Sequence, residues 1–300
     1  MKNIVLTADS GICAKKKEDS IIIPAQIVTN NGDSYRDDGT ITNKQILDDM
    51  NKGILYKTAS PLLGDFENTF KGCLEEGKDV IHLSMGSGIS EGSVNGANLI
   101  AKELNEEYKN QVYVIDSLTG ATGGTLLYEL AYNEIMNSNK PSKEIVKLLN
   151  NLKKQLHTSF YVPNMDGFVR SGRDKTKSHI KDTVLNASSK IAKIAGFKFR
   201  VDFHENGDLY LKKVFRSPIC SGMKKMVTEI VNKDNIEEFE NTCVAIGNLH
   251  KDSVDLDEIR KYLLSFGYFK NVIEQDIGSV VAAYGCNDLC GISLVKKSAR

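Results

Sequence analysis

The sequence predicts an α/β protein of two domains, on three observations. Short β-branched runs alternate with amphipathic, helix-spaced segments through the first half of the chain. That rhythm stops near residue 157, after which strands follow one another across turns. Each early strand also ends in a small polar turn that opens a helix. Strand–helix alternation implies a mostly parallel sheet flanked by helices, whereas hairpins imply antiparallel pairing. The expected division is an α/β domain over 1–157 and an α+β domain with a largely antiparallel sheet over 158–300.

Composition sets the outer limits. Three hundred residues leave room for two cores. Thirty-nine Lys and Arg balance thirty-nine Asp and Glu, and no basic stripe or acidic tail points to nucleic acid. No apolar run approaches the roughly 20 residues needed to span a bilayer. The start, Met1-Lys2-Asn3, lacks a signal-peptide pattern, so the expectation is a cytoplasmic protein. Six scattered cysteines read as buried thiols. Cys286 and Cys290 lack the second ligand pair that tetrahedral zinc requires.

In chain order, Asn3 to Thr7 is a strand ending in Asp9-Ser10. Ile21 to Thr29 is extended but interrupted by Pro24, which favours an edge or a bend. Thr42 caps a helix over 43–51. Ser60 before Pro61 reads as the cap of the next helix, with Leu62, Phe66 and Phe70 on its inner face. Thr58 lies outside that cap, its hydroxyl free to face a ligand.

The run Val80 to Ser84 is a buried strand, followed by the Gly/Ser-rich loop Met85 to Ser93 and a helix from Ala97 to Tyr108. A loop of this kind presents N–H groups and hydroxyls at the positive end of a helix, where an anion is favoured. Val112 to Ile115 ends in Asp116-Ser117, and Gly120 to Gly124 leads into a helix over 126–136. A further helix runs from Ser142 to Leu156. Because three polar turns follow strands of one parallel sheet, they should share its carboxyl edge.

In the second half, Phe160 to Pro163 and the Asp166 to Arg173 loop read as a junction. A hairpin joins Lys198–Phe203 to Leu209–Phe215. A helix over 217–231, a strand over 242–246, a helix over 255–266 and strands over 272–275, 280–284 and 289–295 complete the chain.

The segments Asp9-Ser10, Ile23-Pro24, Gly32 to Asp37, Thr58-Ala59-Ser60-Pro61, Gly88 to Ser93, Val114 to Ser117 and Arg170 to Arg173 together resemble the DegV family of bacterial fatty-acid-binding proteins. Order and spacing carry the resemblance over nearly the whole chain. It implies a DegV-like two-domain fold holding one long-chain fatty acid, with no cofactor. The carboxylate would lie on hydroxyls of Thr58 and Ser90, near Ser60 and Arg173, and the tail would enter an apolar tunnel between the domains. A separate ATP-dependent fatty acid kinase subunit would then phosphorylate the acid, and transient membrane contact would suit such a carrier. The chain departs from the pattern in three places. Tyr284 stands where the family has a histidine, Ala59 replaces a common serine, and Glu91 is inserted. The insertion leaves Ser90 or Ser93 as the loop hydroxyl.

Two enzymatic alternatives stand beside this reading. Gly88-Ile89-Ser90-Glu91-Gly92 also fits the G-x-S-x-G nucleophile elbow of serine hydrolases, with His157, His179, His204 and His250 as candidate bases. Gly120 to Gly124 lacks the spacing of a dinucleotide loop and reads as a strand-to-helix turn. His82, in mid-strand, reads as a core histidine.

Overall fold

The computed structural model describes residues 3–163, 196–249, 255–284 and 289–297, apart from the side chains of Ile219 and Cys220. Strands β1 (Ile4–Asp9), β2 (Ser20–Ile23), β6 (Asp79–Ser84) and β7 (Val112–Asp116) form a parallel sheet in the order β2-β1-β6-β7. Its strands are near-continuous apolar runs because helices cover both faces. One face buries Phe66, Phe70, Ala97 and Ile100 of α2 (Leu63–Glu75) and α3 (Ser87–Glu107). The other buries Leu127, Tyr128, Ile145 and Leu149 of α4 (Ala121–Asn137) and α5 (Ser142–Leu152).

At Pro24 the chain leaves this sheet. Strands β3 (Gln26–Thr29), β4 (Ser34–Arg36) and β5 (Tyr56–Ala59) make a separate antiparallel sheet, with α1 (Asn43–Asn51) between β4 and β5. Thr42 caps α1, its hydroxyl accepting the Gln45 N–H at 3.2 Å.

The second sheet runs β10-β9-β8-β13-β11-β12 and is antiparallel except for the β11–β12 pair. Its strands are β8 (Leu156–Val162), β9 (Phe197–Phe203), β10 (Leu209–Arg216), β11 (Val244–Asn248), β12 (Val272–Asp276) and β13 (Cys290–Val295). One face packs Tyr161, Phe215, Ile292 and Leu294 against α6 (Ile219–Ile230) and α7 (Leu256–Leu264). The other, carrying Phe160, Val162 and Val201, turns toward the first lobe. The expected fold class, a parallel α/β lobe joined to a largely antiparallel α+β lobe, is what the chain adopts.

Four local expectations are corrected. The segment 280–284 is not a strand: Ser279–Ala282 is a short helix, α8. Its unbroken apolar run carries no period that separates a buried strand from a buried helix. Ser60 is not a cap, because α2 begins at Leu63 with Leu62 at the cap position and no side-chain cap bond. The helix after β6 begins at Ser87, ten residues before the expected start. Helix α5 stops at Leu152 because Leu156 opens β8, paired with Val295.

Helix α8 is tied to the first lobe. The Asn43 amide donates to the Ile277 carbonyl, and the Ser279 hydroxyl bonds Asn43 Oδ1 at 3.0 Å. The Gly278 N–H donates to the Cys13 sulfur at 3.3 Å. Burial pushes the Cys13 thiol up to about 12, so it stays protonated.

Candidate functional site

The carboxyl ends of β1, β6 and β7 lie at one edge, and two acids fix the turns there. Asp9 Oδ2 accepts the Ser84 hydroxyl at 2.9 Å and the Met85 N–H at 2.8 Å. Its other oxygen lies 3.3 Å from Nε2 of His82, whose Nδ1 meets the Thr7 hydroxyl at 2.9 Å. Two strands over, on β7, Asp116 Oδ1 accepts the N–H groups of Ser87 and Leu118, each at 3.0 Å. A buried carboxylate such as Asp9 needs donors of this kind, and the half-buried Asp116 is held by them too.

Close packing then sets the turn between β6 and α3. A Cβ on Gly86 would fall 2.5 Å from the Thr119 nitrogen. One on Gly88 would fall 2.2 Å from the Gly207 carbonyl oxygen, in the turn between β9 and β10. The second lobe's hairpin thus rests directly on this loop. Leu118 (φ 55°) and Ala121 (φ 47°) take left-handed conformations in the neighbouring turn. Such strain costs on the order of 1–3 kcal/mol each and concentrates at functional sites.

Between the lobes these elements leave a slot with about 710 Å³ of atom-free space, counted out to its open mouth. Met85, Ile89, Gly120 and Ala121 line one wall. Phe160, Val162, Val201, Phe203 and Leu209 of the second sheet line the opposite wall. Val280, Val281 and Tyr284, on α8 and just beyond it, close the side with Leu289. Among these lining residues only Tyr284 carries a titratable group. The slot can therefore hold an apolar body and offers little for acid–base chemistry.

Tyr284 connects the slot to β5. The Thr58 N–H donates to the Tyr284 phenolic oxygen at 2.9 Å, and the Thr58 hydroxyl donates to the same oxygen at 3.2 Å. Ser60 packs beside α3: a Cβ on Gly92 would meet the Ser60 Oγ at 3.0 Å. Ser90 is half-buried at a break in α3, with non-helical φ −148° and ψ 67°. Ser93, one turn on, is buried. Thr58 and Tyr284 are thus brought into contact, and Ser60 is brought beside the Ser90–Ser93 segment. Arg173 lies outside the described residues.

A tunnel between the domains was expected from the resemblance, but the residues that line the slot from the second lobe were not singled out in the sequence, where Phe160 to Pro163 reads as a junction. The available signal was the period of two in β8, which sends Phe160 and Val162 to the slot and Ser159 to the far face. On that far face Asp202 accepts the Ser159 hydroxyl at 2.6 Å and two Arg200 N–H groups at 2.8 Å each. His157 lies 3.3 Å from both Ser159 Oγ and an Arg200 nitrogen. Burial, with Arg200 adding to it against Asp202, lowers the imidazole to about 4.

The elbow geometry of a serine hydrolase does not form at Ser90. That serine lies within the helical segment rather than on the strand-to-helix turn. Among the described residues no histidine hydrogen-bonds it: His82 meets Thr7, His157 meets Ser159 and Arg200, and His204 stacks on Tyr210. His179 and His250 lie outside the described residues. Among those described, no group of three or more His, Cys, Asp or Glu has metal-binding geometry, and no helix is long and apolar enough to cross a membrane.

Comparison with known proteins gives one consistent set of matches. A family profile described as "Uncharacterised protein, DegV family" matches residues 3–297. A fatty acid-binding protein of Thermotoga maritima is 27% identical over 259 residues, covering 82% of this chain and 80% of its own. Among solved structures, a Thermus thermophilus DegV family protein, described for its fatty acid binding, superposes with a TM-score of 0.81. It is 19% identical, with 99% and 100% of the two chains covered. The Fatty Acid Kinase (Fak) B3 protein of Streptococcus pneumoniae, solved loaded with linoleic acid, gives 0.78 at 16% identity, covering 98% of this chain and all of its own. At these identities the structural likeness speaks for the fold.

Proposed function

This chain belongs to the DegV family, and on that premise we propose that it binds one long-chain fatty acid in the slot between its lobes and carries it unaltered. The observation that carries the reading is the slot itself: apolar along its length and reaching hydroxyl and N–H donors where Tyr284 meets Thr58. The tail would lie between Met85 and Ile89 on one side and Phe160 and Phe203 on the other. Each buried methylene contributes about 0.8 kcal/mol, so the tail supplies most of the affinity. The carboxylate would take donors from Thr58, Ser60 and Ser90 or Ser93, with Arg173 as a nearby cation. Charge-assisted bonds of this kind are roughly twice as strong as neutral ones.

The second part of the proposal is a partner. A carrier whose slot-lining residues include Tyr284 as the single titratable group suits hand-over to a separate ATP-dependent kinase that makes the acyl-phosphate. The named kinase-system relative in Streptococcus pneumoniae supports that direction. Loading from a membrane surface would require only transient contact. The test is to purify the protein, denature it and extract its lipid for mass spectrometry, beside a Thr58→Ala/Ser90→Ala double variant. The native protein should release a long-chain fatty acid and the variant should release little. Equal lipid content in a folded variant would refute the head-group assignment.

A further inference from the structure

We infer that Tyr284 is an internal competitor of the ligand head group: its phenolic oxygen accepts both Thr58 donors and must give way for a carboxylate to take them. The inference rests on the fatty-acid reading of the slot and adds how that site is kept and released. Two donors from one residue, a backbone N–H and a hydroxyl, converge on a single oxygen at 2.9 and 3.2 Å. Convergent donors of that kind suit an anionic oxygen better than a neutral phenol. The partners are 226 residues apart in the chain. Tyr284 also lines the slot, so its ring borders the space that a slot-bound molecule would fill.

The contact links two bodies. Thr58 belongs to β5 of the first lobe's small sheet. Tyr284 follows α8, whose Val280 and Val281 form part of the slot wall and whose Ser279 is bonded to Asn43. The phenol on Thr58 accepts from a half-buried N–H and hydroxyl. It also gives the donors an acceptor to return to when the ligand leaves. A competing internal acceptor lowers apparent affinity by the fraction of protein it occupies, and lowers it equally for every head group that must displace it. For a carrier that must surrender its cargo, a weaker hold with a prepared empty state favours release.

The test compares delipidated native protein with Tyr284→Phe, which keeps the ring and removes the oxygen. Palmitate is the probe, and affinity and thermal midpoint are read with and without it. Two neutral hydrogen bonds in competition correspond to roughly a tenfold effect on Kd. The variant should bind palmitate roughly tenfold more tightly. Its empty form should melt slightly lower, and its palmitate-induced rise in Tm should exceed that of the native protein. A purely structural role would lower both the midpoint and the affinity. Weaker or unchanged palmitate binding in Tyr284→Phe, with the native protein still binding, overturns the inference and leaves the fatty-acid reading standing. If neither protein binds palmitate, the reading of the slot fails and the inference fails with it. As a second readout, a palmitate-bound structure should show the phenol moved off Thr58, and an intact Tyr284–Thr58 pair beside bound palmitate contradicts displacement.

Discussion

Thr58, on the first lobe's small sheet, and His157, on the far face of the second lobe's sheet, show how differently single polar side chains behave. Thr58 holds its donors toward the slot, and a conservative Thr58→Val change removes one donor while keeping the shape. It should weaken palmitate binding several-fold with little change in stability, as isothermal titration and a melting curve would register together. His157, itself half-buried, faces away from the slot in a network with the buried Ser159, Arg200 and Asp202. Burial holds its folded pKa at about 4, below the ordinary imidazole value of 6.5. The unfolded chain therefore binds the proton first as pH falls. Stability contributed by neutral His157 is present above about 6.5 and is lost progressively toward pH 4. The loss is of order 1–3 kcal/mol at the acid end. Urea denaturation between pH 7 and 4 should show that slope, and His157→Gln should flatten it; equal slopes would mean that another group titrates. Of these two residues, the sequence singled out Thr58 through its motif. It offered no cue for the His157 network, because the partners Arg200 and Asp202 come from a different strand.

At the scale of elements, the contact between the β6–α3 turn and the β9–β10 hairpin decides whether the slot has two walls. Gly88 is required there because a side chain would overlap the Gly207 carbonyl at 2.2 Å. Backbone on both sides cannot yield as a flexible side chain would. Gly88→Ala should push the hairpin from the loop, lower the thermal midpoint and reduce retained lipid; overpacking of this kind costs about 1–3 kcal/mol. Unchanged stability and lipid content would show that the contact is not tight. Most elements could be read from the sequence because their periods are clean: β1, β6 and β7 as apolar runs, and α1 with its Thr42 cap. The exceptions have identifiable causes. Pro24 was correctly a break, yet its consequence, the transfer of the chain to a second sheet, depends on tertiary pairing. Ser60 has the residue type of a cap but instead packs on Gly92. The Val280–Ala283 run is held in place by Asn43, bonded to Ile277 and Ser279, and by Cys13, bonded to Gly278, both long-range partners invisible in a local window.

For the whole molecule, the parallel sheet delivers three polar turns to one edge, and the antiparallel sheet lays an apolar face across them. Alternation in the first half and hairpins in the second were enough to anticipate that arrangement. The slot was not legible in the same way. Its walls are single positions on a turn, a strand and a helix far apart in sequence, such as Met85, Phe160 and Val281, and only packing brings them together. The hydroxyls proposed for the head group were legible through motifs, whereas Tyr284 stood out only as a departure from the family pattern. The account as a whole depends on that slot holding one acyl chain. The most direct measurement is equilibrium titration of delipidated protein with palmitate, with stoichiometry confirmed by native mass spectrometry. The account predicts saturable binding of one fatty acid per chain; no saturable uptake, or several weakly held molecules per chain, would contradict it.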